Sequence, residues 1–396
     1  MKEITIKKAN TDIQKELTNI DFDKSYINTA CSKYKGTAYK IFNLKPFEAT
    51  ILKQACLSLG FDCAVSRNTI TCSCEYTDCV LFGSISQIKK LTEKLKHQPF
   101  RLKLIAEELI SKINNELPAL KIRNNVFDKK QEYIMGILNV TPNSFSDGGE
   151  YINPDIALNH AIQMIKDGAD IIDIGGESTK PNAETVAVEE EIKRVIPVIQ
   201  KIRSQNENVV ISIDTRNYET AKAAIEAGAD IINDVSGLDY DSNMFNFVVS
   251  KNIPTVIMHS DKVPAISSDF SSGDIIEEIY FSLDKKIKKL LAAGMERQNI
   301  IADVGIGFGK SVQSNFEILK RIDEFSSLNV LMLLGISRKS FIRKEFNIDF
   351  NEADEVTALY SANIKGINIH RVHNVKLTKK YLDYCKVFKQ PNKEYV

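Results

Sequence analysis

From residue 119 onward the chain repeats one pattern: a short, unbroken apolar run followed by a segment long enough for an amphipathic helix. Eight such runs can be read, at 134–139, 170–174, 209–214, 230–234, 254–258, 300–304, 330–336 and 366–370. Helical segments fall between most of them, as at 156–167, 188–203, 218–227 and 281–293. Apolar strands that do not alternate suit a parallel sheet covered on both faces. Eight strand–helix units in 278 residues match the usual size of a (β/α)8 barrel. An open doubly wound sheet is the rival, but it seldom needs eight strands of this regularity. The fold class read here is α/β: a (β/α)8 TIM barrel over 119–396, preceded by a small α+β domain over 1–118.

The first 118 residues follow another rhythm. A helix is predicted at 46–59, ended by Gly60, and two β-rich runs at 61–65 and 69–74 flank Ser66-Arg67-Asn68, a hairpin turn by composition. Residues 80–83 read as a third strand, 85–96 as a second helix, and the stretch after Pro99 as another amphipathic helix ending near Asn115. Asn114-Asn115-Glu116-Leu117-Pro118 closes the region. No cluster of acids, bases or metal ligands stands out, so the expectation is an accessory docking or stabilising module.

Charge and cysteine usage narrow the function classes. The 52 basic residues balance 52 acidic ones, which gives no ground for nucleic-acid or membrane binding. The first 118 residues carry 18 basic and 13 acidic side chains, an excess of 5 too small to name a partner. No apolar run approaches a membrane span, and the N-terminus lacks a signal-peptide core, so a cytoplasmic protein is expected. Six of the seven cysteines precede residue 80. Their odd number and irregular spacing favour reduced thiols over a disulfide framework. Zinc at Cys72, Cys74 and Cys79, with Cys63 upstream, stays open, although the Cys-Ser-Cys spacing lacks a matching pair, and in a strand Cys72 and Cys74 would simply share a face.

Function is expected at the strand ends, where barrel chemistry gathers. Run after run stops at a polar group: Asn139, Asp173 then Glu177, Asp214, Asn233-Asp234, Met258-His259, Asp303, Arg338-Lys339, and Arg371 with His373. A single Asp there is ordinary helix capping, but so many on one rim describe a ligand pocket. Asp214, Asn233, Asp303 and Lys339 suit a flat heterocycle with donor and acceptor edges, such as an aminopyrimidinone. Asn139, Arg371 and His373, with Lys180 nearby, suit a polyanion and a divalent metal. Two loops rich in Gly, Ser and Pro, 141–149 and 175–181, follow the first two strands and are placed to close over substrate.

These residues carry a resemblance. Met135-Gly136-Ile137-Leu138-Asn139-Val140-Thr141-Pro142-Asn143-Ser144-Phe145-Ser146-Asp147-Gly148-Gly149 resembles the opening motif of the dihydropteroate synthase family. Asp173-Ile174-Gly175-Gly176-Glu177-Ser178-Thr179-Lys180-Pro181 resembles its second motif. Ile213-Asp214-Thr215, Ile232-Asn233-Asp234, Gly307-Phe308-Gly309-Lys310, Ser337-Arg338-Lys339-Ser340-Phe341 and Arg371-Val372-His373-Asn374 follow in family order. The likeness spans about 120–375; residues 1–118 lie outside it. Lys180 replaces the usual Arg, Asn182 the usual Gly and Asn374 the common Asp, and the stretch after His259 is shorter than usual.

The resemblance implies a transferase of folate biosynthesis that condenses 6-hydroxymethyl-7,8-dihydropterin pyrophosphate with 4-aminobenzoate. It implies a pterin-binding set of Asp214, Asn233, Asp303 and Lys339, with Met258 against the ring. Asn139 would lie beside Mg2+, and Arg371 and His373 would hold pyrophosphate. Ser340 would receive the aminobenzoate carboxylate, framed by Phe308, Thr179 and Pro181. Asp173, Asp214, Lys339 and Arg371 would be catalytic, in a homodimer that is a sulfonamide target. Because an aniline nitrogen is a modest nucleophile, departure of pyrophosphate should come first, in a dissociative substitution. Two alternatives stay open. One is transfer of a methyl group from methyltetrahydrofolate to a corrinoid, which would use the pterin set but not the polyanion set. The other is a pterin-binding paralogue without catalysis.

Overall fold

In the computed structural model, which describes residues 13–114, 116–141, 154–177, 186–260 and 273–389, the chain divides into two units, Met1–Glu116 and Leu117–Val396. The first unit runs α1 (Ile13–Asn19), α2 (Ile27–Tyr34), β1 (Gly36–Leu44), α3 (Pro46–Leu57), β2 (Asp62–Val65), β3 (Thr77–Ser84), α4 (Ile85–Leu95) and α5 (Leu102–Asn114). Its sheet is antiparallel in the order β1-β3-β2. In β3, Thr77, Cys79, Leu81 and Gly83 are buried while Asp78, Val80 and Phe82 are exposed, the alternation of a sheet with one covered face. That face meets Leu52 and Cys56 of α3, Ile88 and Leu91 of α4, and Leu102 and Ala106 of α5.

Local chemistry sets the helix starts. Pro46 occupies the first turn of α3, and Glu48 reaches back to the Lys45 amide at 2.8 Å, a capping-box bond. The same buried carboxylate accepts from Arg101 Nε at 3.0 Å, tying the approach to α5 onto α3. Ser84 and Gln87 exchange capping bonds at the head of α4.

The hairpin expected at 61–74 does not form. Residues 69–74 are turns, Cys72 has φ +50°, and β2 pairs instead with β3, whose central place exceeds the expected 80–83. Thr69 turns its hydroxyl inward to Thr77 Oγ1 at 3.2 Å, and the Ser73 amide donates to Asn68 O. These bonds satisfy the polar segment locally, so Cys72 and Cys74 share no strand face. β1 was not anticipated. All seven cysteines are thiols, and Cys56, Cys63 and Cys79 lie in the core.

The second unit opens with a hairpin, β4 (Leu120–Ile122) and β5 (Asn125–Phe127). Eight parallel strands follow: β6 (Tyr133–Asn139), β7 (Ile171–Gly175), β8 (Val210–Asp214), β9 (Ile231–Asp234), β10 (Thr255–Met258), β11 (Ile300–Asp303), β12 (Leu331–Leu334) and β13 (Ile369–Val372). They close in the order β10-β11-β12-β13-β6-β7-β8-β9. The helices are α6 (Pro154–Lys166), α7 (Val188–Gln205), α8 (Tyr218–Ala227), α9 (Ser242–Lys251), α10 (Ile275–Ala292), α11 (Val312–Lys320), α12 (Ser340–Phe346), α13 (Phe350–Asn363) and α14 (Val375–Lys389). The structure is a (β/α)8 TIM barrel with an N-terminal α+β region. The last strand begins three residues later than expected, because Gly366 turns with φ +83°, so Arg371 lies within β13.

Each strand serves two cores because successive side chains face opposite ways. Residues such as Ile172, Ile211, Ile232, Ile257 and Ala302 pack outward with the helices. Ile171, Val210, Ile231, Val256, Ile301, Leu331 and Ile369 pack inward with Tyr133 and Met135, joined by Leu120, Ile122 and Phe127 of the hairpin. The hairpin thus plugs the N-terminal mouth, each buried apolar side chain contributing about 1.5–3 kcal/mol. Arg123 fixes it there, its Nε donating to Asp230 Oδ1 at 2.7 Å while Arg203 Nη2 holds Asp230 Oδ2 at 2.8 Å.

Candidate active site

One step farther along the same inward-facing rows, the apolar filling gives way to charge. Asp173, Ser212 and Asp214, Asn233, Met258, Asp303 and Arg371 follow the lumen residues of their strands by two or four positions. Except for Arg371, which is partly exposed, all of them are buried. Arg371 stands at the centre. Its Nε donates to Asp173 Oδ2 and its Nη2 to Asp214 Oδ2, both at 2.6 Å. Asn233 Nδ2 donates to the same Asp173 oxygen at 3.1 Å. Four residues from four strands therefore form one bonded cluster. Arg371, grouped by sequence with the polyanion set, is joined to the heterocycle set.

The cluster leaves acceptors and a cation facing the opening. Among the described residues nothing donates to Asp214 Oδ1, and Asp303 uses Oδ1 to accept from the Gly305 amide at 2.8 Å, leaving its Oδ2. Lys339 Nζ lies 4.2 Å from the Phe308 ring centroid, a cation–π contact that holds both side chains at the rim. Met258 is buried beside Asp303 in the strand register. Asn139 shares the space above Gly175 with Asp214: a Cβ built on Gly175 would sit 3.7 Å from Asn139 Oδ1 and 3.8 Å from Asp214 Oδ2.

Burial perturbs these groups in opposite directions. Desolvation pushes the Asp214 carboxyl up to about 7 against the attraction of Arg371, with Asp173, Glu191 and Asp234 adding to the rise. Asp303 is raised by burial as well, opposed by its Gly305 bond and by Lys339. Lys339 is lowered to about 8 by burial and by repulsion from Arg371, partly offset by Asp303 and Asp214. Burial disfavours the charge on Arg371, yet Asp173 and Asp214 hold it above its ordinary value. Groups shifted this way and gathered at the carboxyl ends of the barrel strands mark a candidate functional site.

Other expected residues stand apart from the cluster. His373 shares a 3.0 Å bond between Nδ1 and Ser337 Oγ. Ser340 is exposed at the first position of α12. Arg338 turns away into a two-point ion pair with Asp354, at 3.0 and 2.9 Å. Asp234 organises its own loop, accepting from Ser236 and Leu238 amides at 2.7 and 3.0 Å. Thr179, Lys180 and Pro181, and the first loop from Pro142 onward, lie outside the described residues.

Sequence reading missed supporting residues. Lys310 Nζ donates to the carbonyls of Gly305 and Phe308 at 2.9 and 3.3 Å, folding the loop that carries Phe308; its place in the Gly307–Lys310 motif was the available signal. Glu191, on a helix and away from any strand end, gave none.

Residues 135–373 match the family described as pterin binding enzyme. A dihydropteroate synthase of Streptococcus pyogenes serotype M3 is 45% identical over 247 residues, 61% of this chain and 90% of that one. A probable bifunctional folylpolyglutamate synthase/dihydropteroate synthase of Haloferax volcanii is 37% identical over 361 residues, 87% of this chain. That span exceeds the barrel unit, so part of the first unit is shared with it; this chain covers only 42% of the haloarchaeal protein's length. Among solved structures, the Yersinia pestis dihydropteroate synthase in complex with a sulfonamide drug superposes with a TM-score of 0.62 at 32% identity, over 68% of this chain and 99% of that one. With the eight-stranded barrel, the charged lumen and these matches together, the chain belongs to the dihydropteroate synthase family of pterin-binding enzymes.

Proposed function

We propose that this protein joins 6-hydroxymethyl-7,8-dihydropterin pyrophosphate to 4-aminobenzoate, giving 7,8-dihydropteroate and pyrophosphate. The observation that carries the reading is the cluster of Arg371 with Asp173, Asp214 and Asn233, flanked by Asp303 and Lys339. Asp303 Oδ2 and Asp214 Oδ1 are placed to accept from ring and amino N–H groups, and Lys339 to donate to the ring carbonyl. Met258 packs against the ring face. Arg371, held in its charged form by Asp173 and Asp214, is the described cation of the cluster that meets the negative charge gathering on pyrophosphate as the C–O bond breaks. The same carboxylates stabilise the pterin cation left behind. The lone pair of the aminobenzoate nitrogen then bonds to the methylene carbon, and the nitrogen gives up one proton to solvent water.

Ser340 is read as the receiver of the aminobenzoate carboxylate, with Phe308, Thr179 and Pro181 framing its ring. His373 and Lys180 are read as further pyrophosphate contacts. Among the described residues no three acids, histidines or cysteines stand together for a metal. The neutral Asn139 oxygen fits a Mg2+ that takes its other ligands from pyrophosphate and water; such an ion would neutralise the leaving group. No described helix is long and apolar enough to cross a membrane; we read the protein as a cytoplasmic homodimer, open to sulfonamides that mimic aminobenzoate. Steady-state assay of the purified protein with both substrates and Mg2+ tests the activity. Formation of dihydropteroate supports it, and no product with either substrate saturating would overturn it. Methyl transfer from methyltetrahydrofolate would establish the corrinoid alternative instead.

A further inference from the structure

Two of the chemistry-bearing loops, those after β7 and β8, meet on one buried acid. Glu191 lies in the first turn of α7 and is fully buried. Its Oε2 accepts from Asn217 Nδ2 at 2.8 Å and from Thr220 Oγ1 at 2.6 Å. Asn217 precedes α8 but makes no capping bond to it, because its amide is turned to Glu191 instead. The backbone between is also fixed: the Asn217 amide donates to Thr215 Oγ1 at 3.1 Å, and the Thr215 amide to Asn233 O at 3.1 Å. A rigid path of three residues therefore runs from Glu191 to Asp214.

The other side of Glu191 faces the loop after β7. A Cβ on Gly176 would sit 3.0 Å from Glu191 Cγ, 3.3 Å from Glu191 O and 2.8 Å from Val195 Cγ1, so that backbone lies directly on α7. Arg194, one turn on, donates from Nη1 to Gly176 O at 3.0 Å. Gly175 in turn sets the space between Asn139 and Asp214. Glu191 Oε1 is buried with no partner among the described residues, an expensive arrangement for a residue whose only task is to fill space.

We propose that Glu191 is a positioning residue for the reaction, clamping the Gly175–Gly176 turn and the Thr215–Thr220 segment to the head of α7 so that Asp214 and Asn139 keep their spacing. This inference rests on the activity proposed above, and two variants of the full-length protein separate the two. Glu191→Ala removes the acceptor, whereas Glu191→Gln retains one for Asn217 and Thr220. In hydrogen exchange, Glu191→Ala should speed exchange in both 175–177 and 214–220 while the other strands stay protected, and Glu191→Gln should restore both segments. In turnover, Glu191→Ala should lower kcat at least about tenfold with a smaller change in KM for either substrate, the signature of lost alignment, and Glu191→Gln should recover most of it. Unchanged exchange in Glu191→Ala would overturn the clamp whatever the activity proves to be. Looser exchange with parental kcat would reduce Glu191 to a structural tie and overturn its positioning role. If the parent protein makes no dihydropteroate, the proposed activity fails while the exchange arm still decides the clamp.

Discussion

The two ends of the barrel lumen are built from the same strands and differ by a single step of two residues. At the N-terminal end Ile171, Val210, Ile231, Val256, Ile301 and Ile369 fill the lumen around the β4–β5 hairpin. Two positions on, Asp173, Ser212, Asn233, Met258, Asp303 and Arg371 occupy the same rows. That step is about 6.6 Å of strand, and over it the lumen passes from apolar packing to a set of charges that burial disfavours. The upper layer is tolerated because Arg371 pairs with two carboxylates at once; a buried charge left alone would cost several kcal/mol. The lower layer supplies stability and the upper layer spends it. Mutations should therefore separate cleanly by layer.

The largest effect should come from the floor. Phe127→Ala leaves a cavity against Tyr133, whose ring centroid lies 4.8 Å away, and should cost about 3–5 kcal/mol of stability. Chemical denaturation should show the loss while kcat/KM of the folded protein stays at the parental value. A fall in kcat/KM with unchanged stability would break the division between the layers.

The rim should give the opposite result. Asp303→Ala and Lys339→Ala should each weaken pterin binding about 100-fold, because a buried donor or acceptor on the substrate loses its partner. Their melting temperatures should stay near the parent's, since neither side chain belongs to the apolar packing. Calorimetry showing parental pterin affinity in both variants would remove these residues from the site.

A smaller effect concerns pH. Burial raises Asp214 to about 7, so its acceptor form is complete only above that value. Burial lowers Lys339 to about 8, so its donor form is lost above it. With both forms required, kcat/KM for the pterin substrate should peak between about 7 and 8 and fall roughly tenfold per unit on either side. Asp214→Asn should flatten the acid limb. A parental profile level from pH 5.5 to 7 would mean Arg371 keeps Asp214 ionised throughout.

Much of this was legible in the sequence, and what was not has physical causes. Apolar runs such as 170–174 announced a parallel sheet, and the polar residues near their ends announced the rim. What pattern could not show was pairing across long sequence separation: Arg371 meets Asp173 and Asp214 only because the barrel closes β13 onto β6, which brings it across the lumen rim from β7 and β8. Residues 69–74 misled because β-favouring residues there are satisfied by turn bonds, including the buried Thr69–Thr77 contact. The β4–β5 hairpin escaped notice because three-residue strands carry almost no periodicity. Glu191 escaped because a helical Glu reads as solvated surface until its burial is seen.

The smallest effect on chemistry should come from removing the first unit. Its sheet packs one face on α3, α4 and α5 around its own apolar core, and the barrel holds its own lumen and helix-facing clusters. Asp173, Asp214, Asn233, Asp303, Lys339 and Arg371 all belong to the second unit. A chain starting at Leu117 retains the hairpin plug and every one of these groups, so kcat and both KM values should match the full-length protein. Any cost should appear as altered assembly, read by light scattering, because Val80 and Phe82 leave the outer face of the first unit's sheet 44% and 64% exposed, an apolar surface for contacts that the shortened chain lacks. A chain starting at Leu117 that melts like the parent barrel yet turns over no substrate would place part of the active site in the first unit, and the separation of roles between the two units would fall.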